Sequence, residues 1–178
     1  MANIVTVNGV TPNIHPTARI AENATITGNT TIGEQCSIWY QVVIRGDVNN
    51  IIIGDRVNIQ DGAVVHGSSG RSDTVLGNDV SIGHRAIVHG CVIKGRALVG
   101  MGAIILDDAV IEENVIIAAG AVVVQGTVCE SGYLYAGIPA KKIKEIEPDK
   151  IKYYIDGTAA VYVEYSSWYW GQGNGDKL

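Results

Sequence analysis

A period of six residues constrains this chain more than any other feature. Ile14, Ile20, Ile26, Ile32, Ile38 and Ile44 follow one another at that spacing without a miss. A small residue stands four places after most of them: Ala18, Ala24, Thr30 and Cys36. The count slips by three at residues 47–50 and resumes at Ile53, Ile59 and Val65. A loop at residues 67–74 interrupts it before Leu76, Ile82 and Val88. After a one-residue deletion it runs through Ile93, Val99, Ile105, Ile111, Ile117 and Val123, with Ala63, Ala86, Ala97, Ala103, Ala109 and Ala121 as the small residues.

Six matches neither the 3.6 period of a helix nor the simple alternation of a strand. It fits a parallel β-helix, in which each hexad is a short strand plus a turn and three hexads close one triangular coil. The aliphatic residue points into the prism. A lone hexad cannot bury its isoleucine, so stability comes from stacking. The eighteen hexads predict about six coils, or a prism roughly 30 Å tall at about 4.8 Å per strand.

The repeat is expected over residues 1–135. Residues 136–170 then form a turn and a helix packed on the prism. Gly137 and Pro139 punctuate the turn, and Pro148 suits the first turn of a helix. Ile151, Ile155, Ala159, Tyr162, Tyr165 and Tyr169 recur at helical spacing, predicting a helix over 149–170. Gly157 weakens it by about 1 kcal/mol relative to alanine. Residues 171–178, GQGNGDKL, read as a disordered tail. The expected class is therefore mostly β, with one C-terminal α-helix.

Composition narrows the function. The net charge of −5 and the lack of a basic stripe argue against a nucleic-acid partner. No apolar run is long enough to span a membrane. The first residues lack the basic head and apolar stretch of a secretory signal. Cys36, Cys91 and Cys129 are odd in number and scattered, which suits a reducing, cytoplasmic setting better than a disulfide framework.

The hexads also predict which side chains stack. Val65 and Val88 fall on one face, one coil apart. Treating the slip at 47–50 as a turn bulge places Ile44 on that face too. Arg45, His66 and His89 each follow their aliphatic residue by one, a position that points outward. They form a column over three successive coils. His84 lies two residues after Ile82, near a different edge, with Asp61 in the equivalent place one coil earlier and Gln60 beside it. Within one chain His84 is not expected to reach His66 and His89. Three parallel prisms in a cyclic homotrimer bring the two edges together, an allowed closed symmetry.

Three imidazoles leave one position open on a metal ion, as in catalytic zinc sites. Such an ion lowers the pKa of bound water to about 7. Arg45 and Asp47 are candidates to orient groups at the interface, or equally a surface ion pair worth about 0–1 kcal/mol. Gln60 and Asp61 are candidates to hydrogen-bond metal-bound solvent or a carboxylate product, against the plain reading of Asp61-Gly62 as a turn pair. The helix tyrosines read as packing residues, Cys36 as structural, and His15 as an ordinary surface histidine.

Arg45-Gly46-Asp47, Asn58-Ile59-Gln60-Asp61, His66 and His84-x4-His89 resemble the γ-class carbonic anhydrase family. The likeness covers nearly the whole chain, including the YAGIPAKK turn at residues 135–142. It implies a left-handed β-helix and a homotrimer with interfacial metals, about one per chain, usually Zn2+ and sometimes Fe2+ or Co2+. It implies reversible hydration of CO2 to bicarbonate. It implies that the residue matched by Arg45 pairs with an acid across the interface, and that those matched by Gln60 and Asp61 contact metal-bound solvent or product. Tyr162 resembles a tyrosine near the family's site. Two departures stand out. Val48 replaces a glutamate after Asp47, and the short loop at 67–74 lacks the family's shuttle glutamate, with Asp73 its only acid. Glu164 is a candidate to replace that shuttle. A weakly active or inactive trimeric metal scaffold, and a hexapeptide acyltransferase or thioesterase, are the rival readings.

Overall fold

The computed structural model describes residues 1–170; the tail expectation at 171–178 lies outside them. The chain winds into a parallel β-solenoid with three faces. Face one stacks Asn3–Val5, the first half of Thr25–Ile32, the first half of Val43–Ile53, Val64–His66, Ile87–His89, Ile104–Ile105 and Val122–Val123. Face two runs from Asn13–Ile14 through the second halves of the two long strands to Val128–Cys129. Face three runs from Arg19–Ile20 to Tyr133–Ala136. The two long strands bend through the corner between faces one and two.

Each face therefore holds seven parallel strands, one coil more than the hexads predict. The reason lies at the ends. In the last coil the inward places belong to Cys129 and Tyr135, which stack on Ile111 and Ile117 and are not aliphatic hexad markers. In the first coil Asn3–Val5 pairs with Thr25–Thr27 yet stays exposed, so it carries no buried isoleucine to mark it.

Elsewhere the periodicity reports the interior faithfully. The core is a dry column of isoleucine, valine and alanine, and Ile38, Ile59 and Ile82 are fully buried one above another on face three. Three free, buried cysteines join it. Burial pushes the Cys36 thiol up to about 11, and its Sγ donates to the Gly54 carbonyl at 3.0 Å, so it stays protonated and inert. Corners are closed by residues in the left-handed region, among them Gln35, Gln41, Arg56, Asp79, Arg85, Asp108 and Asn114. L-residues adopt that backbone at a cost. Coil-to-coil hydrogen bonds offset it, as from Arg85 N to Asp61 O at 2.9 Å.

The turn at 131–140 is more regular than expected. Tyr133–Ala136 is the last strand of face three, and Lys141–Glu145 folds back on it antiparallel, capping the stack. The helix follows. Pro148–Ile151 is α-helical with proline in its first turn, Lys152–Asp156 forms a π-turn, and Gly157–Trp170 completes it. It lies along face three, burying Ile155, Ala159 and Ser166. Beneath it sit the buried polar residues Ser37, Asn58 and Ser81, with Asn58 Nδ2 donating to Ser81 Oγ at 2.7 Å. Trp39 receives the edges of Tyr162, Tyr169 and Trp170 at centroid distances of 5.3–5.6 Å. Arg19 donates to Ser166 Oγ at 2.9 Å, and Arg96 holds Asp156 through two contacts of 3.1 Å. Among the described residues no helix is long and apolar enough to cross a membrane.

The stacked core and the exposed ion pair make unequal contributions. Ile59→Ala, which opens a void between Ile38 and Ile82, is expected to cost about 2–5 kcal/mol in urea unfolding. Arg96→Ala is expected to cost less than about 1 kcal/mol, because the pair is water-exposed.

Candidate metal centre

Parallel pairing places His66 directly beside His89, and Ile44 beside Val65 puts Arg45 next in the same outward column. All three sit where face one turns toward face two. Their rings and charges meet. His66 Nδ1 lies 3.2 Å from His89 Nε2, with ring centroids 5.1 Å apart.

Carboxylates set the tautomers. Asp47 Oδ1 is 3.0 Å from His66 Nε2, and Asp107 Oδ1 is 2.9 Å from His89 Nδ1. A carboxylate only accepts, so each of these ring nitrogens donates its proton. The other nitrogen of each neutral ring is then a lone pair. Two such nitrogens at 3.2 Å can share a proton or a metal ion. An ion bonded to both at about 2.0–2.1 Å in tetrahedral geometry sets its donors about 3.3 Å apart. The donor set and its spacing thus fit a zinc-like ion. Arg45 Nη2 approaches His66 Nδ1 at 3.3 Å, bringing positive charge to the same lone pair. Arg45 also contacts Asp47 within the chain. Burial tends to raise the Asp47 carboxyl, but hydrogen bonds from His66 and Arg45 outweigh it and hold the group below the usual carboxylate range.

His84 occupies the other edge of face one, at the corner where face three turns into it. Its Nδ1 is 2.9 Å from Asp61 Oδ2, so it too donates to a carboxylate and keeps Nε2 free. Among the described residues no three metal-binding side chains converge within one chain. Gln60 is nearly buried and donates through Nε2 to Asn58 Oδ1 at 3.0 Å. Tyr162 faces this edge. Burial pushes its phenol above the usual value, and the nearby Asp61 carboxylate adds to the shift.

Glu164 goes elsewhere. It lines a cavity of about 650 Å3 with Pro16, Arg19, Gln35 and Trp170, at the edge between faces two and three. Residues two apart on a helix point to opposite sides, so Tyr162 at the site directs Glu164 away from it. Asp73 is likewise committed, accepting from the backbone N and side-chain Nδ2 of Asn50 at 3.1 and 2.9 Å.

Sequence reasoning missed Asp107 and its supports. Extending the histidine column by one more coil reaches Leu106-Asp107, so the register held the signal. The one-residue deletion after Val88 matters here. It leaves a tight corner at Gly90 (φ +56°), where a Cβ would stand 1.9 Å from Asp107 Oδ1. Only glycine lets Asp107 close on His89.

The family described as bacterial transferase hexapeptide (six repeats) matches residues 90–125. A carbonic anhydrase of Geobacillus kaustophilus is 43% identical over 161 residues, covering 90% of this chain and 87% of that protein. Gamma carbonic anhydrase 2, mitochondrial, of Arabidopsis thaliana is 39% identical over 149 residues; the match covers 81% of this chain and 53% of that longer protein. The crystal structure of a hexapeptide transferase family protein from Anaplasma phagocytophilum superposes with a TM-score of 0.89 at 43% identity, covering 94% of this chain and 98% of that one. Identity at this level, carried through nearly every coil, makes the chain a member of the γ-class carbonic anhydrase family of hexapeptide-repeat proteins.

Proposed function

We propose that this protein is a metal-dependent carbonic anhydrase, interconverting CO2 and bicarbonate at sites shared between the subunits of a homotrimer. One observation carries the reading: two histidine lone pairs converge at 3.2 Å while each ring's other nitrogen is held by a carboxylate.

His66 through Nδ1 and His89 through Nε2 would hold the ion from one subunit, and His84 through Nε2 from the next. A divalent ion there supplies Lewis acidity, making hydroxide available from water near neutral pH. Asp47, Asp107 and Asp61 fix the three imidazoles in the ligating tautomer, a common device around metal-bound histidines. Asp61 also lies beside the third ligand, where its other oxygen can accept a hydrogen bond from the attacking solvent and orient it. Gln60, pinned by Asn58, presents a fixed amide at the same edge for the bicarbonate oxygens. Tyr162 closes that edge against Trp39 and limits bulk water there. Zinc is the ion the donor set suits best, with iron and cobalt also compatible with imidazole.

A second reading rests on Val48 and the short loop. Val48 is exposed beside Asp47, and Asp73, the loop's only acid, is held by Asn50, so neither position supplies a carboxylate to carry protons to solvent. A trimer that keeps its metal for stability fits that arrangement. Acyl transfer, the rival chemistry for a hexapeptide-repeat fold, requires one histidine as base and has no use for three carboxylate-held imidazoles.

Stopped-flow CO2 hydration on anaerobically purified protein, with metal content measured, separates these. The proposal expects roughly one ion per chain, hydration well above the buffer rate, and loss of both in His84→Ala. Full metal content without hydration would leave the scaffold reading. Asp61→Ala is expected to weaken metal retention by about 10–100-fold, measured by competition with a chromophoric chelator.

A further inference from the structure

The loop at residues 67–74 looks like an insertion that merely interrupts the repeat. Its contacts say otherwise. Ser68 Oγ donates to Asp107 Oδ2 at 3.1 Å, while Asp107 Oδ1 takes the His89 proton. The carboxylate is thus gripped from both sides. At the loop's other end Thr74, fully buried, donates through Oγ1 to the His66 carbonyl at 2.7 Å and accepts from the Gly90 amide at 3.1 Å. One hydroxyl ties together the strand ends that carry both histidines.

The loop is itself held. Asn49 Nδ2 donates to the carbonyls of Ser68, Arg71 and Ser72, the last two at 3.1 Å. Arg71 and Ser72 reach Asp108, three coils above Asn49. Asn50 holds Asp73. The segment is strapped across the corner on which the histidines sit, from the third coil to the sixth.

We propose that this loop is a positioning clamp for the metal ligands, with Ser68 its working contact: Ser68 fixes the Asp107 rotamer, and Asp107 fixes the tautomer and direction of His89. This rests on the metal-binding reading above. Without the Ser68 hydroxyl, Asp107 loses the contact opposite His89 and swings among rotamers. His89 Nε2 then no longer points at His66 Nδ1 for a fixed share of the time. Ser68 touches no reacting atom and acts only through Asp107.

Cobalt binding tests the clamp without relying on turnover. Wild type, Ser68→Ala, Ser68→Thr and Asp107→Asn would be titrated with Co2+ against a chromophoric chelator, with visible spectra and the thermal transition of each metal-free protein recorded. The clamp expects Ser68→Ala to weaken Co2+ binding by about 10-fold, to alter the ligand-field bands, and to leave the metal-free transition in place. Ser68→Thr, which keeps the hydroxyl, restores affinity and spectrum, and Asp107→Asn weakens binding at least as much as Ser68→Ala. Ser68→Ala binding within twofold of wild type with an unchanged spectrum overturns the clamp while leaving the metal site standing. Lost affinity that threonine does not restore, accompanied by a lowered metal-free transition, overturns it in favour of a plain folding role. Wild-type protein that takes up no Co2+ overturns both the clamp and the metal reading.

Discussion

Everything in this molecule depends on the backbone register from one coil to the next. Gln60 N bonds to Ile82 O at 2.9 Å, Gly83 N to Val99 O at 2.8 Å, and Gly100 N to Ile117 O at 2.8 Å, each link continuing the one before. Side-chain direction alternates along a strand with a period of two residues. A slip of one residue in any coil would therefore turn its isoleucine outward and its histidine inward. The dry core makes that slip costly at every level, since it would trade a buried aliphatic group for a buried imidazole. The core thus enforces the alignment of the outer column.

On that frame the polar chemistry follows one pattern three times. His66, His84 and His89 each give one N–H to an aspartate, Asp47, Asp61 and Asp107. Each aspartate sits at a corner, where the chain leaves a strand and side chains of neighbouring coils approach. The pairing fixes the direction of each ring through one of its nitrogens, an arrangement common around metal-binding histidines. The two edges differ in their backing. The edge with His66 and His89 is braced by the loop, whereas the edge with His84 is backed by the helix and the aromatic group around Trp39.

How much of this the sequence revealed depended on which force set the feature. Where one repeated burial event decides position, as with Ile38, Ile59 and Ile82, spacing alone located the residue, its face and its neighbours. The outward stacking of Arg45, His66 and His89 followed from the same count. The coil number fell short by one because Cys129 and Tyr135 fill inward places without being isoleucine or valine, and because the first strand, Asn3–Val5, buries no aliphatic residue. Glu164 was drawn toward the site by its closeness in sequence to Tyr162, although helical geometry separates residues two apart. Asp107 lay one coil further along the column that already held His66 and His89, whereas Ser68 left no periodic trace, because its hydrogen bond crosses a corner to a residue 39 positions away. Asn58 was noticed as part of a motif, but its burial under the helix was not legible, since nothing local marks which face a distant helix will cover.

The antiparallel strand Lys141–Glu145 has a consequence beyond the single molecule. A solenoid has no lateral edges, but each end offers a full rung of unsatisfied amides and carbonyls to any other chain in the same conformation. Growth rung upon rung is the route by which such stacks become fibres. Reversing the direction of the final rung on face three denies an incoming copy the parallel template it would need. Lys141 and Lys144, both exposed, add like charge against another copy of the same end. The short reversed segment therefore acts as a terminator, keeping a structure built on indefinite repetition to a finite length.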